Sequence, residues 1–183
     1  MSVLTAANQL TLLRLLLVPV FALCMLYSRP GWALVTFAVA GATDALDGLI
    51  ARLTRQQTTI GAWLDPMADK LLLATMFITL TMPDLAPVAH LPLWLTVLVL
   101  SRDIAIVLTV AIVNLAVSHR TFRPSLLGKA ATVIYVVTGV VTLWANYRGT
   151  GLVLVQTCIY VSLAITLLSG FEYLYRMSRG AAP

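Results

Sequence analysis

Long apolar runs separated by short polar segments dominate the chain. Each run is close to the roughly 20 residues that an apolar helix needs to cross a lipid bilayer. The segments between them contain Pro, Gly and charged residues, which end helices and favour turns. The pattern predicts an all-α integral membrane protein with a short interfacial helix at residues 2–9. Six transmembrane helices are predicted, at residues 10–27, 32–53, 62–81, 93–117, 126–144 and 152–175.

The composition excludes an ordinary soluble domain. Hydrophobic residues make up 60% of the chain and charged residues 10%, whereas a soluble domain carries about 25% charge. Six spans with short loops use nearly all of the 183 residues, so residues 1–183 are expected to form one membrane-embedded domain. Cys24 and Cys158 lie within apolar runs and are expected to be unbonded thiols.

Lys and Arg residues are unevenly divided between the two sides of the predicted bundle. Arg29 and Arg148 lie on one side, and the other side holds Arg52, Arg55, Arg120, Arg123, Lys129, Arg176 and Arg179. Basic residues concentrate in cytoplasmic loops. Both termini are therefore predicted to be cytoplasmic, in a bacterial inner membrane. The net charge of +5 suits anionic lipid head groups or a phosphate-bearing substrate, and no nucleic-acid partner is expected.

Four of the seven acidic residues lie within residues 44–69, inside apolar runs or at their ends. A carboxylate in such a position costs at least ~2.5–3.5 kcal/mol on insertion scales, so compensation is required. Asp44 and Asp47 are three residues apart and Asp65 and Asp69 four apart, so each pair shares one helix face. A short polar turn joins the two predicted helices. Antiparallel packing would bring all four carboxylates together near the cytoplasmic end.

Clustered carboxylates repel one another unless a cation lies among them. Oxygen ligands favour a hard divalent ion, so the four aspartates predict a site for two Mg²⁺ or Mn²⁺ ions. The residues between them suit a phosphate substrate. Gly48 and Ala51 leave room beside the acids, Arg52 can fork onto a diphosphate, and Gly61 allows close approach to the backbone.

The spacing of these eight residues is specific. It follows the pattern D-x2-D-G-x2-A-R-x8-G-x3-D-x3-D, and in this respect the chain resembles the CDP-alcohol phosphatidyltransferases. Asn8, Thr11 and Arg14 are similar to the N-x-L-T-x-x-R start of that family's first helix. Together with the six predicted spans, the resemblance extends over most of the chain.

The resemblance implies an enzyme that displaces CMP from CDP-diacylglycerol by an alcohol acceptor. It also implies six membrane helices, a homodimer and a polar site open to the cytoplasm. Asp69 would be the base that takes the proton of the acceptor hydroxyl. The residues implied as metal ligands are Asp44, Asp47, Asp65 and Asp69, and those implied as nucleotide and diphosphate contacts are Gly48, Ala51, Arg52 and Gly61.

Basic residues of the fourth and fifth helices suggest an acceptor that carries phosphate. The candidates are Arg102, Arg123 and Lys129, with the alternative that Arg102 merely pairs with an aspartate such as Asp103. The Ser-Arg-Asp triplet at residues 101–103 resembles CMP-forming cardiolipin synthases, which favours phosphatidylglycerol as acceptor. Lys129 follows a glycine and precedes Thr132, which resembles phosphatidylglycerophosphate synthases and keeps glycerol 3-phosphate as the alternative.

Arg14 has two possible roles, as an anchor that reaches the membrane interface or as a partner of the acids or the diphosphate. Two other classes of protein also place aspartates in membrane helices. Membrane prenyltransferases use them with Mg²⁺, but they are longer and lack the D-G-x2-A-R element. An ion transporter would explain buried acids, but not Gly48, Arg52 and Gly61 at these gaps.

Overall fold

A computed structural model describes residues 6–54, 59–116 and 126–178. Within these residues all regular structure is helical, which confirms the predicted all-α class. The described residues form six helices, at the predicted places along the chain and with ends that differ by a few residues. They are α1 (Ala6–Leu26), α2 (Pro30–Thr54), α3 (Thr59–Thr81), α4 (Leu93–Ala116), α5 (Leu126–Arg148) and α6 (Leu152–Ser178).

The N-terminal segment differs from the expectation of a separate interfacial helix at residues 2–9. Residues 6–9 form the first turn of α1, and residues 2–5 lie outside the described part of the chain. The physical reason is the sequence itself, because no Pro or Gly separates residues 6–9 from the apolar run that follows.

Three of the described helices are long and apolar enough to cross a membrane. The apolar stretches are Gln9–Leu26 in α1, Leu126–Arg148 in α5 and Leu152–Glu172 in α6. The other three helices each contain charged residues among their apolar ones. Large apolar side chains are nevertheless exposed on all six helices, as expected for a surface that faces lipid.

Helix α1 packs against both α2 and α3. Helix α5 packs against α2, α3 and α6, and α4 packs against α3 and α6. Fully buried side chains such as Phe21, Met76 and Phe77 fill the space between helices. Phe77 and Tyr135 meet edge to face with ring centroids 6.0 Å apart, which joins α3 to α5.

Hydroxyl groups connect α5 to α6 in the buried interior. The Thr138 and Ser162 hydroxyls lie 2.7 Å apart, and the Tyr135 hydroxyl lies 2.7 Å from that of Thr166. In a bilayer such groups find no water, so hydrogen bonds between helices satisfy them and fix the register of the pair. Gly139 lies on the same helix directly over Met76, where a Cβ atom would overlap the methionine side chain.

Candidate active site

Arg14 of α1 is the centre of the acidic site. Its side chain is 1% exposed, although it carries a full charge. One terminal nitrogen, Nη1, donates a hydrogen bond of 2.6 Å to Oδ1 of Asp69 on α3. The other, Nη2, lies 3.0 Å from Oδ1 of Asp44 on α2. One guanidinium therefore joins carboxylates from two helices.

This arrangement follows from the cost of burying charge. A buried cation is tolerated only when it is paired and hydrogen-bonded. The planar guanidinium offers donors in a fixed fork, so it can serve two carboxylates at once, which a lysine ammonium does less well. The side chains of Asp44 and Asp69 are 47% and 46% exposed. The arginine thus lies on the inner side of the acids, and each carboxylate reaches the surface.

The structure places α1 between the two acidic helices at this point. The sequence pattern had predicted that the acids of α2 and α3 converge, and it left the role of Arg14 open between an interfacial anchor and a contact with the acids or the diphosphate. The observed contact with Asp44 and Asp69 corresponds to the second alternative. The signal was present in the sequence, since a lone arginine in an apolar run requires an acidic partner.

Several predicted site residues lie outside the described side chains. The backbones of residues 47 and 48 lie in α2 and those of residues 61 and 65 in α3, so these positions are on the expected helices. Their side-chain placement is outside the description, as are the side chains of Asn8, Ala51 and Arg52 and the whole of Arg123. The complete four-carboxylate cluster remains a prediction.

Of the described side chains, those of Asp44 and Asp69 suit a hard divalent cation. Asp44 and Asp69 offer oxygen ligands, are half exposed, and converge on one point of the bundle. Among the described residues, no group of three or more His, Cys, Asp or Glu side chains comes close enough to hold a metal ion. Asp44 and Asp69 alone would form an incomplete site, which Asp47 and Asp65 are positioned in sequence to extend.

A second charged cluster joins α3 to α4. Lys70 Nζ lies 3.3 Å from Oδ2 of Asp103, and Arg102 Nη1 lies 2.8 Å from Oδ1 of the same residue. Sequence reasoning had raised the pairing of Arg102 with Asp103 as the alternative to acceptor binding, and the structure shows this pair. It had not found the Lys70–Asp103 contact. The signal was a charge within an apolar helix, whose partner lies on the next helix.

The remaining acceptor candidates are not brought together by the described contacts. Lys129 is exposed near the start of α5. The hydroxyls of Ser101 and Thr132 donate to backbone carbonyls of their own helices, those of Leu98 and Gly128. Within the predicted acceptor region, the described contacts between charged side chains are therefore those of the Lys70–Asp103–Arg102 cluster.

The fold and the site together define a class of protein, a helical membrane protein with paired charges inside its helices. A family model described as CDP-alcohol phosphatidyltransferase matches residues 4–168, which is most of the chain. The chain belongs to the CDP-alcohol phosphatidyltransferase family, and it is an enzyme of that class.

Curated relatives carry names for two different acceptors. A probable phosphatidylglycerophosphate synthase of Mycobacterium tuberculosis is 36% identical over 183 residues, which cover 94% of this chain and 81% of the relative. A CDP-diacylglycerol–glycerol-3-phosphate 3-phosphatidyltransferase of Bacillus subtilis is 29% identical, with 91% of each chain covered. A CMP-forming cardiolipin synthase of Streptomyces coelicolor is 38% identical over 138 residues, covering 71% of this chain and 60% of the relative. These similarities support a role in phospholipid biosynthesis.

Proposed function

We propose that this enzyme transfers the phosphatidyl group of CDP-diacylglycerol to phosphatidylglycerol, forming cardiolipin and releasing CMP. The observation that carries the proposal is the convergence of Asp44 and Asp69 on Arg14, within the stretch that matches the family pattern. It supports a site in which acids from two helices act together on one substrate.

The acidic side of the site would hold the donor. We assign Asp44, Asp47, Asp65 and Asp69 as ligands of two Mg²⁺ or Mn²⁺ ions, and Gly48, Ala51, Arg52 and Gly61 as contacts of the nucleotide and diphosphate. Bound divalent ions would supply charge neutralisation at the diphosphate oxygens. The residues themselves hold the donor so that the phosphorus bearing the diacylglycerol is presented to the acceptor, and catalysis is mainly positioning and electrostatics.

Asp69 is assigned as the base. Its carboxylate is 46% exposed, so an acceptor can reach it, while Arg14 fixes the orientation of Oδ1. The acceptor hydroxyl gives its proton to Asp69, and its oxygen forms a new bond to the phosphorus. The bond between that phosphorus and the oxygen of CMP breaks, and CMP leaves.

The choice of phosphatidylglycerol rests on the charge of the cluster formed by Lys70, Arg102 and Asp103. Two cations and one anion leave a net charge of about +1, and Lys70 directly follows Asp69 in the chain. The phosphodiester of phosphatidylglycerol carries a single negative charge that matches this value. A phosphomonoester such as glycerol 3-phosphate carries about −1.5 to −2 at neutral pH and would require further cations.

Glycerol 3-phosphate is the second candidate acceptor. Two relatives that align with more than nine-tenths of this chain carry names for phosphatidylglycerophosphate formation. Lys129 could supply an additional cation for the more highly charged acceptor, since its side chain is exposed near the start of α5.

Product analysis distinguishes the two acceptors. Purified enzyme in mixed micelles is supplied with CDP-diacylglycerol, Mn²⁺ and either phosphatidylglycerol or glycerol 3-phosphate, and lipid products are identified by mass. Cardiolipin and CMP are expected from the first mixture. Formation of phosphatidylglycerophosphate without cardiolipin would contradict the proposed acceptor. Absence of CMP release with both would contradict the proposed donor.

Matched variants test the acidic site in the same assay. Asp69→Asn and Asp65→Asn are each expected to abolish turnover without loss of folded protein. Asp84→Asn is the control, because Asp84 is exposed in the loop between α3 and α4. Turnover at the normal rate in both site variants would contradict the assignment of these carboxylates.

We further propose that all six helices cross the membrane, with both termini and the active site on the cytoplasmic side, and that the enzyme is a homodimer. The side bias of Lys and Arg supports the orientation, and the family resemblance supports the dimer. Fluorescence of a green fluorescent protein fused to the C-terminus in bacterial cells tests the orientation, since the fusion is expected to fluoresce only in the cytoplasm. Native mass spectrometry tests the dimer, and a monomer mass alone would contradict it.

A further inference from the structure

Arg14 lies outside the stretch of residues 44–69 that carries the acids, on a helix that precedes it in the chain. Even so, its charged side chain is deeply buried, at 1% exposure. A residue in this position touches neither solvent nor an approaching lipid. Its effect on the reaction must therefore pass through the groups that it contacts, which among the described side chains include the carboxylates of Asp44 and Asp69.

Arg14 contacts the two carboxylates through the same kinds of atoms. Both use Oδ1, at 2.6 Å in Asp69 and 3.0 Å in Asp44, and each engages a different terminal nitrogen of the guanidinium. Because Arg14 approaches from the buried side and the carboxylates are about half exposed, the outer faces of the acids point away from it. A cation can then approach from outside while the arginine stays in place.

We propose that Arg14 is a positioning residue, whose planar fork fixes the separation and orientation of Asp44 and Asp69 for binding of the divalent cation. The inference rests on the proposed metal site. Its physical reason is that the two acids belong to different helices, so their spacing would otherwise depend on how α2 and α3 happen to sit against α1. One rigid group in contact with both removes that freedom.

A simpler role for Arg14, as a positive charge that offsets two negative ones, makes a different prediction. Lysine at this position would keep the charge but would lose the fork that spans two carboxylates. Removal of the charge altogether would also remove repulsion towards an incoming divalent cation. Charge compensation alone therefore predicts normal metal affinity in Arg14→Lys and tighter binding in Arg14→Gln. Positioning predicts weaker binding in Arg14→Lys.

The experiment measures binding of Mn²⁺ alone to the purified full-length enzyme by electron paramagnetic resonance, without substrate. Arg14→Lys is expected to bind Mn²⁺ at least about tenfold more weakly than the unmodified enzyme, the usual effect of losing a group that orients a metal ligand. Arg14→Gln is expected to bind no more tightly than the unmodified enzyme. Arg29→Lys is the matched control, because Arg29 is exposed after the end of α1, and its Mn²⁺ affinity should be unchanged.

Each other outcome overturns a defined part of the proposal. Unchanged affinity in Arg14→Lys, or tighter binding in Arg14→Gln, would overturn the positioning role and leave the metal site standing. No Mn²⁺ binding by the unmodified enzyme would overturn the metal site on which the inference rests. An Arg14→Lys protein that fails to fold in detergent and lipid, with or without Mn²⁺, would assign Arg14 to helix assembly instead.

Discussion

Asn146 connects the end of α5 to the loop between α3 and α4, far from the acidic site. Its Nδ2 donates hydrogen bonds to the carbonyl oxygens of Ala89 at 2.7 Å and Thr142 at 2.9 Å. Its Oδ1 accepts from the backbone amides of Val88 at 3.1 Å and Ala89 at 3.4 Å. Asn146→Ala removes all four contacts, and the loop loses its attachment to α5.

The expected loss of stability follows from the hydrogen-bonding groups that Asn146→Ala would leave without a partner. Thr142 belongs to the same helix, and its carbonyl has the helical backbone as a further partner, so that loss counts little. Ala89 is 4% exposed, and its amide and carbonyl would be left buried without the asparagine. The two shorter of the three remaining hydrogen bonds, to the Ala89 carbonyl and from the Val88 amide, contribute roughly 0.5–1.5 kcal/mol each, and an unsatisfied buried group costs about 1–3 kcal/mol. The free energy of unfolding should fall by about 2–4 kcal/mol.

The assay is equilibrium unfolding of the purified enzyme in mixed detergent micelles, with CMP release measured in parallel. Thr157→Ala is the control, because the Thr157 hydroxyl is exposed and bonds only the Val153 carbonyl of its own helix among the described contacts. Turnover of Asn146→Ala well below its unfolding temperature should be unchanged, since Asp69 lies roughly 18 Å along α3 from the loop. A stability loss below about 1 kcal/mol would refute the reasoning.

Three further sets of substitutions test the packing and the second charged cluster. Lys70→Gln removes the net positive charge of the acceptor region, so the KM for phosphatidylglycerol should rise about fivefold in steady-state assays while Mn²⁺ affinity stays unchanged. Thr138→Val with Ser162→Ala removes the hydroxyl pair between α5 and α6 and should lower the unfolding free energy by about 0.6 kcal/mol. Gly139→Ala places a methyl group against Met76 and should destabilise the enzyme by about 1–3 kcal/mol, and a simultaneous Met76→Ala should recover part of that loss.

The sequence was sufficient to predict the helices because a polar segment follows each of the first five apolar runs, and most of these segments contain Pro or Gly. Arg29, Pro30 and Gly31 separate the first two runs, and the structure starts α2 at Pro30, where a proline at the first turn is tolerated. The prediction of a separate helix before residue 10 failed for the opposite reason. No breaking residue lies there, and polarity alone does not end a helix.

The contacts inside the site were harder to predict than the helices that carry them. Spacing of three or four residues shows which side chains share a face of one helix, but not which other helix that face meets. The acids of α2 and α3 were expected to converge, and both members of the described pair, Asp44 and Asp69, contact a residue of α1 that this expectation did not include. Helix order in the bundle decides such contacts, and a single sequence carries little information on that order.

Two neighbouring residues of α3, Asp69 and Lys70, show how the helix order divides the site. Successive residues of an α-helix point about 100° apart, so neighbours in sequence serve different partners. Asp69 contacts Arg14 of α1, whereas Lys70 contacts Asp103 of α4. In the proposed reaction α3 thus contributes two adjacent groups, the Asp69 carboxylate that takes the proton of the acceptor hydroxyl and the Lys70 ammonium of the cluster assigned to the acceptor phosphate. A transfer between two lipids requires both at one point, and a single helix turn meets that requirement.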